Sequence, residues 1–167
     1  MKIIILLISL IVNAFGDIEQ YFVEASKKYN INPKMLYSIA KFESNLNSKA
    51  LAKNRNGSLD IGLMQINSIH LPFLKKYGIE KDDLFNPKIN IYVGAWVLRS
   101  CVNKHGENYK ALNCYNGKVH NNNYYQKILK NFYSLNFFSN DAVTLSTIGF
   151  IFSNSLYTGI TTDISIF

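Results

Sequence analysis

Apolar residues recur at helical spacing through most of this chain. Ile18, Phe22 and Ala25 share one face of a helix predicted over residues 18–29, with Asp17 placed to cap it. Asn30-Ile31-Asn32 breaks that pattern. Asn32-Pro33 pairs a capping side chain with proline at a first helical position, which predicts a second helix carrying Leu36, Ile39, Ala40 and Glu43. Residues 45–57 are polar and predict a long loop, while residues 60–67 (DIGLMQIN) are mostly apolar and lead into a helix over 71–77 that Gly78 ends. Asn86-Pro87 repeats the cap-and-proline signal, and Ile91, Ala95, Leu98 and Val102 after it form a buried stripe. Helices over 109–115 and 124–133 complete the series. Strand signal is weak before Ser134, so the pattern predicts an all-α body.

Composition narrows the class. With 167 residues, 48% hydrophobic and 17% charged, the chain has material for one domain with a real core. It is too apolar for a disordered chain and too polar for a polytopic membrane protein. All 18 Lys and Arg precede Ser134, against nine of the 11 Asp and Glu, so that part carries +9. Such a surface favours anionic partners, whether nucleic acid, membrane headgroups or an acidic wall polymer. From Ser134 onward Ser, Thr and β-branched residues dominate and no helical stripe appears, so residues 134–167 are expected to form an irregular tail. Residues 142–152 are apolar but too short to span a membrane as a helix.

The N-terminus changes the setting. Met1-Lys2, an apolar run over residues 3–12, and small residues at Ala14 and Gly16 predict a secretory signal peptide over residues 1–16, cut after Gly16. The run falls short of the about 20 residues of a bilayer span, so no transmembrane segment is expected after cleavage. Export to an oxidising compartment favours a disulfide between Cys101 and Cys114 over two buried free thiols, because the pair lies in consecutive predicted helices around Lys104-His105-Gly106. Two cysteines exclude a four-thiolate zinc site, and His70, His105 and His120 lack metal-ligand spacing, so neither metal nor cofactor is expected.

Glu43 is the carboxylate placed for chemistry. It lies seven residues after Leu36 and four after Ile39, on the apolar side of its helix and in the last turn. Desolvation and the negative end of the helix dipole both disfavour its ionised form, and a carboxyl group kept protonated near neutral pH can act as a general acid. A rim ion pair with Lys41 or Lys49 is the plainer alternative that periodicity alone leaves open.

Four motifs in order go beyond periodicity: Glu43-Ser44; Asp60-Ile61-Gly62-Leu63-Met64-Gln65-Ile66-Asn67; Asn86-Pro87 with Asn90-Ile91 and Gly94; and Cys114-Tyr115-Asn116-Gly117. Together they resemble the lytic transglycosylase catalytic domain, the goose-lysozyme-like family that cleaves peptidoglycan. The resemblance covers residues 21–133. The DIGLMQIN form and the small exported domain are most similar to the specialised transglycosylases that accompany type IV and type III secretion, conjugation and pilus systems. The implied fold is a compact helical domain of the α+β lysozyme-like superfamily, with a central cleft and little or no β-structure, over residues 17–133.

The resemblance also implies residue roles. Glu43 would be the catalytic acid and then base, cleaving the bond between N-acetylmuramic acid and N-acetylglucosamine without water to leave a 1,6-anhydromuramoyl end. That one-carboxylate route differs from ordinary glycosidases, which use two. Gly62 and Leu63 would form the cleft wall, Gln65 would offer its amide to sugar groups, and the Tyr115 hydroxyl would approach Glu43. Met64 is expected beneath the cleft as core filler, and Asp60 is expected to shape the loop. The implied setting is the periplasm, and the implied partners are peptidoglycan strands and secretion, conjugation or pilus proteins.

Two other readings share these residues: a hydrolytic muramidase on the same scaffold, and a catalytically weak peptidoglycan-binding assembly factor. Nucleic-acid binding would suit the charge, but no recognition motif accompanies it and export removes the chain from nucleic acid.

Overall fold

The structure, a computed structural model, describes residues 18–135. The expected signal peptide over 1–16, and the expected tail over 134–167 apart from Ser134, which ends the last helix, and Leu135, lie outside the described residues. Six α-helices carry most of the described chain: α1 (residues 18–29), α2 (Pro33–Ser44), α3 (Leu71–Leu74), α4 (Pro87–His105), α5 (Tyr109–Tyr115) and α6 (Tyr124–Ser134). Short 3₁₀ turns at Ser68–His70, Lys75–Tyr77 and Asp82–Phe85 join them.

The caps act as the sequence predicts. Asn32 Oδ1 accepts from the Lys34 amide at 2.9 Å, and Asn86 Oδ1 accepts from Lys88 and Ile89, so each cap satisfies donors that proline at the first position leaves over. Ile91, Ala95, Leu98 and Val102 are buried along α4, as are Phe22 and Ala25 on α1 and Leu36, Ile39 and Ala40 on α2. These side chains belong to a single apolar core cluster around which the helices close. Cys101 on α4 and Cys114 on α5 form a disulfide, with Cα atoms 5.8 Å apart.

The polar stretch 45–57 is not all loop. Residues Leu51–Lys53 (β1), Leu59–Ile61 (β2) and Ile66–Asn67 (β3) form a small antiparallel sheet in the order β1-β2-β3. Leu51 pairs with Ile61, and Asp60 with Asn67. All three β1 residues are exposed, so no inward-outward alternation marks that strand in the sequence. The helical lysozyme-like architecture stands, with this sheet as its one β-element among the described residues.

The candidate active site

Glu43 occupies the next-to-last position of α2. Two residues on, Asn45 turns into the left-handed region (φ 55°) and caps the helix with its N–H on the Ala40 and Lys41 carbonyls, so the chain leaves at once. The carboxyl group is held above the ordinary carboxylate range chiefly by burial. The Tyr124 hydroxyl donates to Glu43 Oε1 at 2.5 Å, which pulls in the opposite direction, and the negative charge of Asp60 pushes the same way as burial. The ion-pair alternative is not what the structure holds: Lys41 and Lys49 make no salt bridge to Glu43, and its carboxyl accepts from Tyr124 instead.

A cleft of about 860 Å³ opens over this carboxyl, lined by Glu43, Asp60, Gln65, Asn67 and Tyr115 among others. A larger polar share distinguishes it from the apolar cavity of about 490 Å³ at Phe73 and Tyr92, and Trp96 touches both. Asp60 accepts from Asn54 Nδ2 at 2.9 Å and from Asn67 Nδ2 at 2.6 Å. One oxygen therefore ties β2 to β3 and the other holds the β1–β2 turn, the loop-shaping role expected of it. Among the described residues no group of three or more His, Cys, Asp or Glu is placed to hold a metal.

The turn facing Glu43 is fixed from beneath by one buried side chain. Asn90 on α4 accepts from the Met64 amide at 2.7 Å and donates to the Ile61 and Leu84 carbonyls at 2.9 and 2.7 Å. Gly62 makes this possible: its φ is +74°, and an added Cβ would lie 2.3 Å from both Asn90 Nδ2 and the Leu84 carbonyl oxygen. Gly94 serves the same packing, since its missing Cβ leaves room for Met64 Sδ, which would be 2.4 Å away. Ser44 Oγ donates to the Leu63 carbonyl at 2.7 Å, tying the end of α2 to the turn.

The site residues expected from the sequence do not all share one surface. Glu43, Gln65 and Tyr115 line the cleft. Gly62 and Leu63 do not wall it; both are buried, Leu63 completely, because the Asn90 clamp draws their backbone down onto α4. Gln65 takes a left-handed conformation (φ 49°) and its Nε2 donates to the Gly62 carbonyl at 2.8 Å, so one of its amide donors closes the turn and Oε1 and the second N–H are left over. Met64 is fully buried below, as expected.

Two tyrosines exchange roles. The Tyr115 hydroxyl donates to the Met64 carbonyl at 2.8 Å, not to Glu43; the group on the carboxyl is Tyr124. The two rings lie 6.5 Å apart and nearly parallel. Burial raises both phenols well above their usual range, and the charge of Glu43 adds to it, so both remain donors. A sequence signal for Tyr124 existed. It heads a stripe with Ile128 and Phe132, all buried, and a tyrosine on a buried stripe needs a partner for its hydroxyl.

Comparison with known proteins accords with this architecture. The Transglycosylase SLT domain pattern matches residues 20–135. The chain is 44% identical over 96 residues to Invasion protein IagB of Salmonella typhimurium, covering 57% of this chain and 60% of that protein. It is 41% identical over 103 residues to a peptidoglycan-binding-like protein of Escherichia coli O157:H7, covering 57% and 62%. Protein IpgF of Shigella flexneri is 34% identical over 94 residues, covering 56% and 62%. The chain thus spans about 60% of the length of these curated relatives.

Proposed function

This chain belongs to the Transglycosylase SLT family, and we propose that it is a lytic transglycosylase that opens the peptidoglycan wall locally for a secretion, conjugation or pilus machine. The observation that carries this reading is Glu43: a carboxyl held above its ordinary pKa by burial, on a cleft large enough for sugar rings. Burial that favours the protonated form suits Glu43 to donate a proton to the oxygen linking N-acetylmuramic acid to N-acetylglucosamine. The bond from that oxygen to the muramoyl anomeric carbon then breaks. The C6 hydroxyl of the same sugar attacks that carbon and passes its proton to the Glu43 carboxylate, which regenerates the acid. The product ends in a 1,6-anhydro ring, with no water consumed.

The geometry around the carboxyl suits both halves of the cycle. Burial favours the protonated state for the first step, and the Tyr124 hydrogen bond stabilises the carboxylate that forms next. Asp60 accepts amide bonds on both oxygens, which supports a route with one working carboxylate. Residues 17–133 would then be the catalytic domain, residues 1–16 a leader removed on export to the periplasm, and residues 134–167 an appended tail. The similarity to a protein named for invasion and to one named as peptidoglycan-binding-like supports the wall substrate and the service to a larger machine.

Mass spectrometry of digested sacculi tests the reaction. The expected new ends are anhydromuramoyl, one water lighter than hydrolysed ends; hydrolysed ends would make the protein a muramidase. Glu43→Gln is expected to lower the cleavage rate by about 10²–10⁴-fold while strand binding persists. A variant as fast as wild type would remove Glu43 from the mechanism.

A further inference from the structure

One face of the molecule concentrates unopposed positive charge directly beside the catalytic carboxyl. Lys41 on α2 and Lys127 and Lys130 on α6 line a groove of about 420 Å³ together with Phe42 and Asn131. Glu43 is the only acidic residue in α2 and faces the cleft, and α6 has none. Among the described residues, none of the three lysines forms an ion pair. The surface is also held in shape. Asn131 Nδ2 donates to the Ser38 carbonyl at 2.8 Å, pinning α6 to α2, and Lys34 lies 4.6 Å from the centre of the Phe132 ring along the same seam. Three like charges on fixed helices repel one another, and a multivalent anion relieves that repulsion.

The groove and the cleft are joined through Phe42. This half-exposed residue (42%) directly precedes Glu43, and its ring stands edge-on to Tyr124 at 5.6 Å. Tyr124 in turn donates to Glu43. A glycan seated over Glu43 therefore passes a basic groove one aromatic ring away, and what projects from its muramoyl sugars is a short peptide bearing several carboxylates. We infer that Lys41, Lys127 and Lys130 bind the carboxylates of the stem peptide, so that the protein selects peptide-bearing glycan over bare glycan. This inference rests on peptidoglycan being the substrate.

The test uses the full chain in the Glu43→Gln background, where binding is read without cleavage. Co-sedimentation compares sacculi with sacculi stripped of stem peptides by an amidase. The expected preference for peptide-bearing material is about tenfold at low salt, about twofold per lysine compounding across three, and it weakens as salt screens the charges. K41Q/K127Q/K130Q is expected to bring the ratio to about one, while K41R/K127R/K130R, which keeps the charge, retains it. Equal binding of the unsubstituted lysine protein to both materials overturns the inference, as does a lysine-to-glutamine variant that keeps the preference with an unaltered circular dichroism spectrum. Flotation with phosphatidylglycerol vesicles supplies a third arm. Lysine-dependent vesicle binding, with an unchanged preference among sacculi, would assign the groove to a membrane surface instead. Failure of the catalytic reading is seen separately: no bond cleavage by wild type with peptide-dependent binding intact rejects the enzyme and keeps the groove.

Discussion

On one side of the cleft, α2 and α4 present Leu36, Ile39, Ile91 and Leu98 to a common core, and on the other the stretch from Leu59 to Asn67 is suspended from polar atoms. The first wall is held by many small, non-directional contacts. The second depends on a few directed bonds: Asn90 to three backbone groups, Ser44 to Leu63, Tyr115 to Met64, and Asn54 and Asn67 to Asp60. Ile61, Leu63, Met64 and Ile66 of this stretch enter the same core, but non-directional contacts do not fix the path of a turn, and these bonds specify where its backbone atoms lie. The Glu43 carboxyl sits where the two meet, supplied by the helical side and lining the cleft with Asp60 and Gln65 of the bonded side.

That contrast breaks most severely at Asn90. Asn90→Leu fits an apolar interior but leaves the Met64 amide and the Ile61 and Leu84 carbonyls unpaired, and a loss of about 4 kcal/mol is expected from urea titration. A loss below about 1 kcal/mol would show that water or relaxation replaces the clamp. Cleaving the strut between α4 and α5 comes next. Cys101→Ser with Cys114→Ser is expected to cost roughly 3 kcal/mol, seen as a fall in Tm of roughly 10 °C that reducing agent reproduces in wild type.

Tyr124→Phe sharpens the contrast at the carboxyl itself. Its hydroxyl favours the ionised carboxylate, so its removal raises the Glu43 pKa further. Activity that needs the protonated acid falls as pH rises through this pKa, so the alkaline limb of the kcat/KM profile moves to higher pH in the variant. The maximum drops about tenfold, equal to about 1.4 kcal/mol of lost stabilisation of the carboxylate formed in the second step. The smallest effect is expected on the helical wall, where Leu98→Met conserves volume and should cost about 1 kcal/mol or less, with cleavage unchanged.

The same division decides what could be read from the chain. Helix starts at Pro33 and Pro87 and the stripe from Ile91 to Val102 were legible because capping and 3.6-residue periodicity are local signals. Glu43 was legible too, as a carboxyl on an apolar face, and the raised pKa follows from that placement. The exposed strand Leu51–Lys53 was not legible, because its partner Leu59–Ile61 alone gives it order and no buried face marks it.

Local signals thus specify the set of helices, the acid at the end of the second one and the turn chemistry opposite it, since each depends on neighbours within a few residues. Long-range packing alone sets Tyr124 rather than Tyr115 on the carboxyl, places Gly62 and Leu63 below the cleft and not on it, and brings lysines from α2 and α6 together beside it. Those outcomes depend on the angle and register at which distant helices pack, and hydrogen-bonding groups 51 and 81 residues apart carry no periodicity that links them.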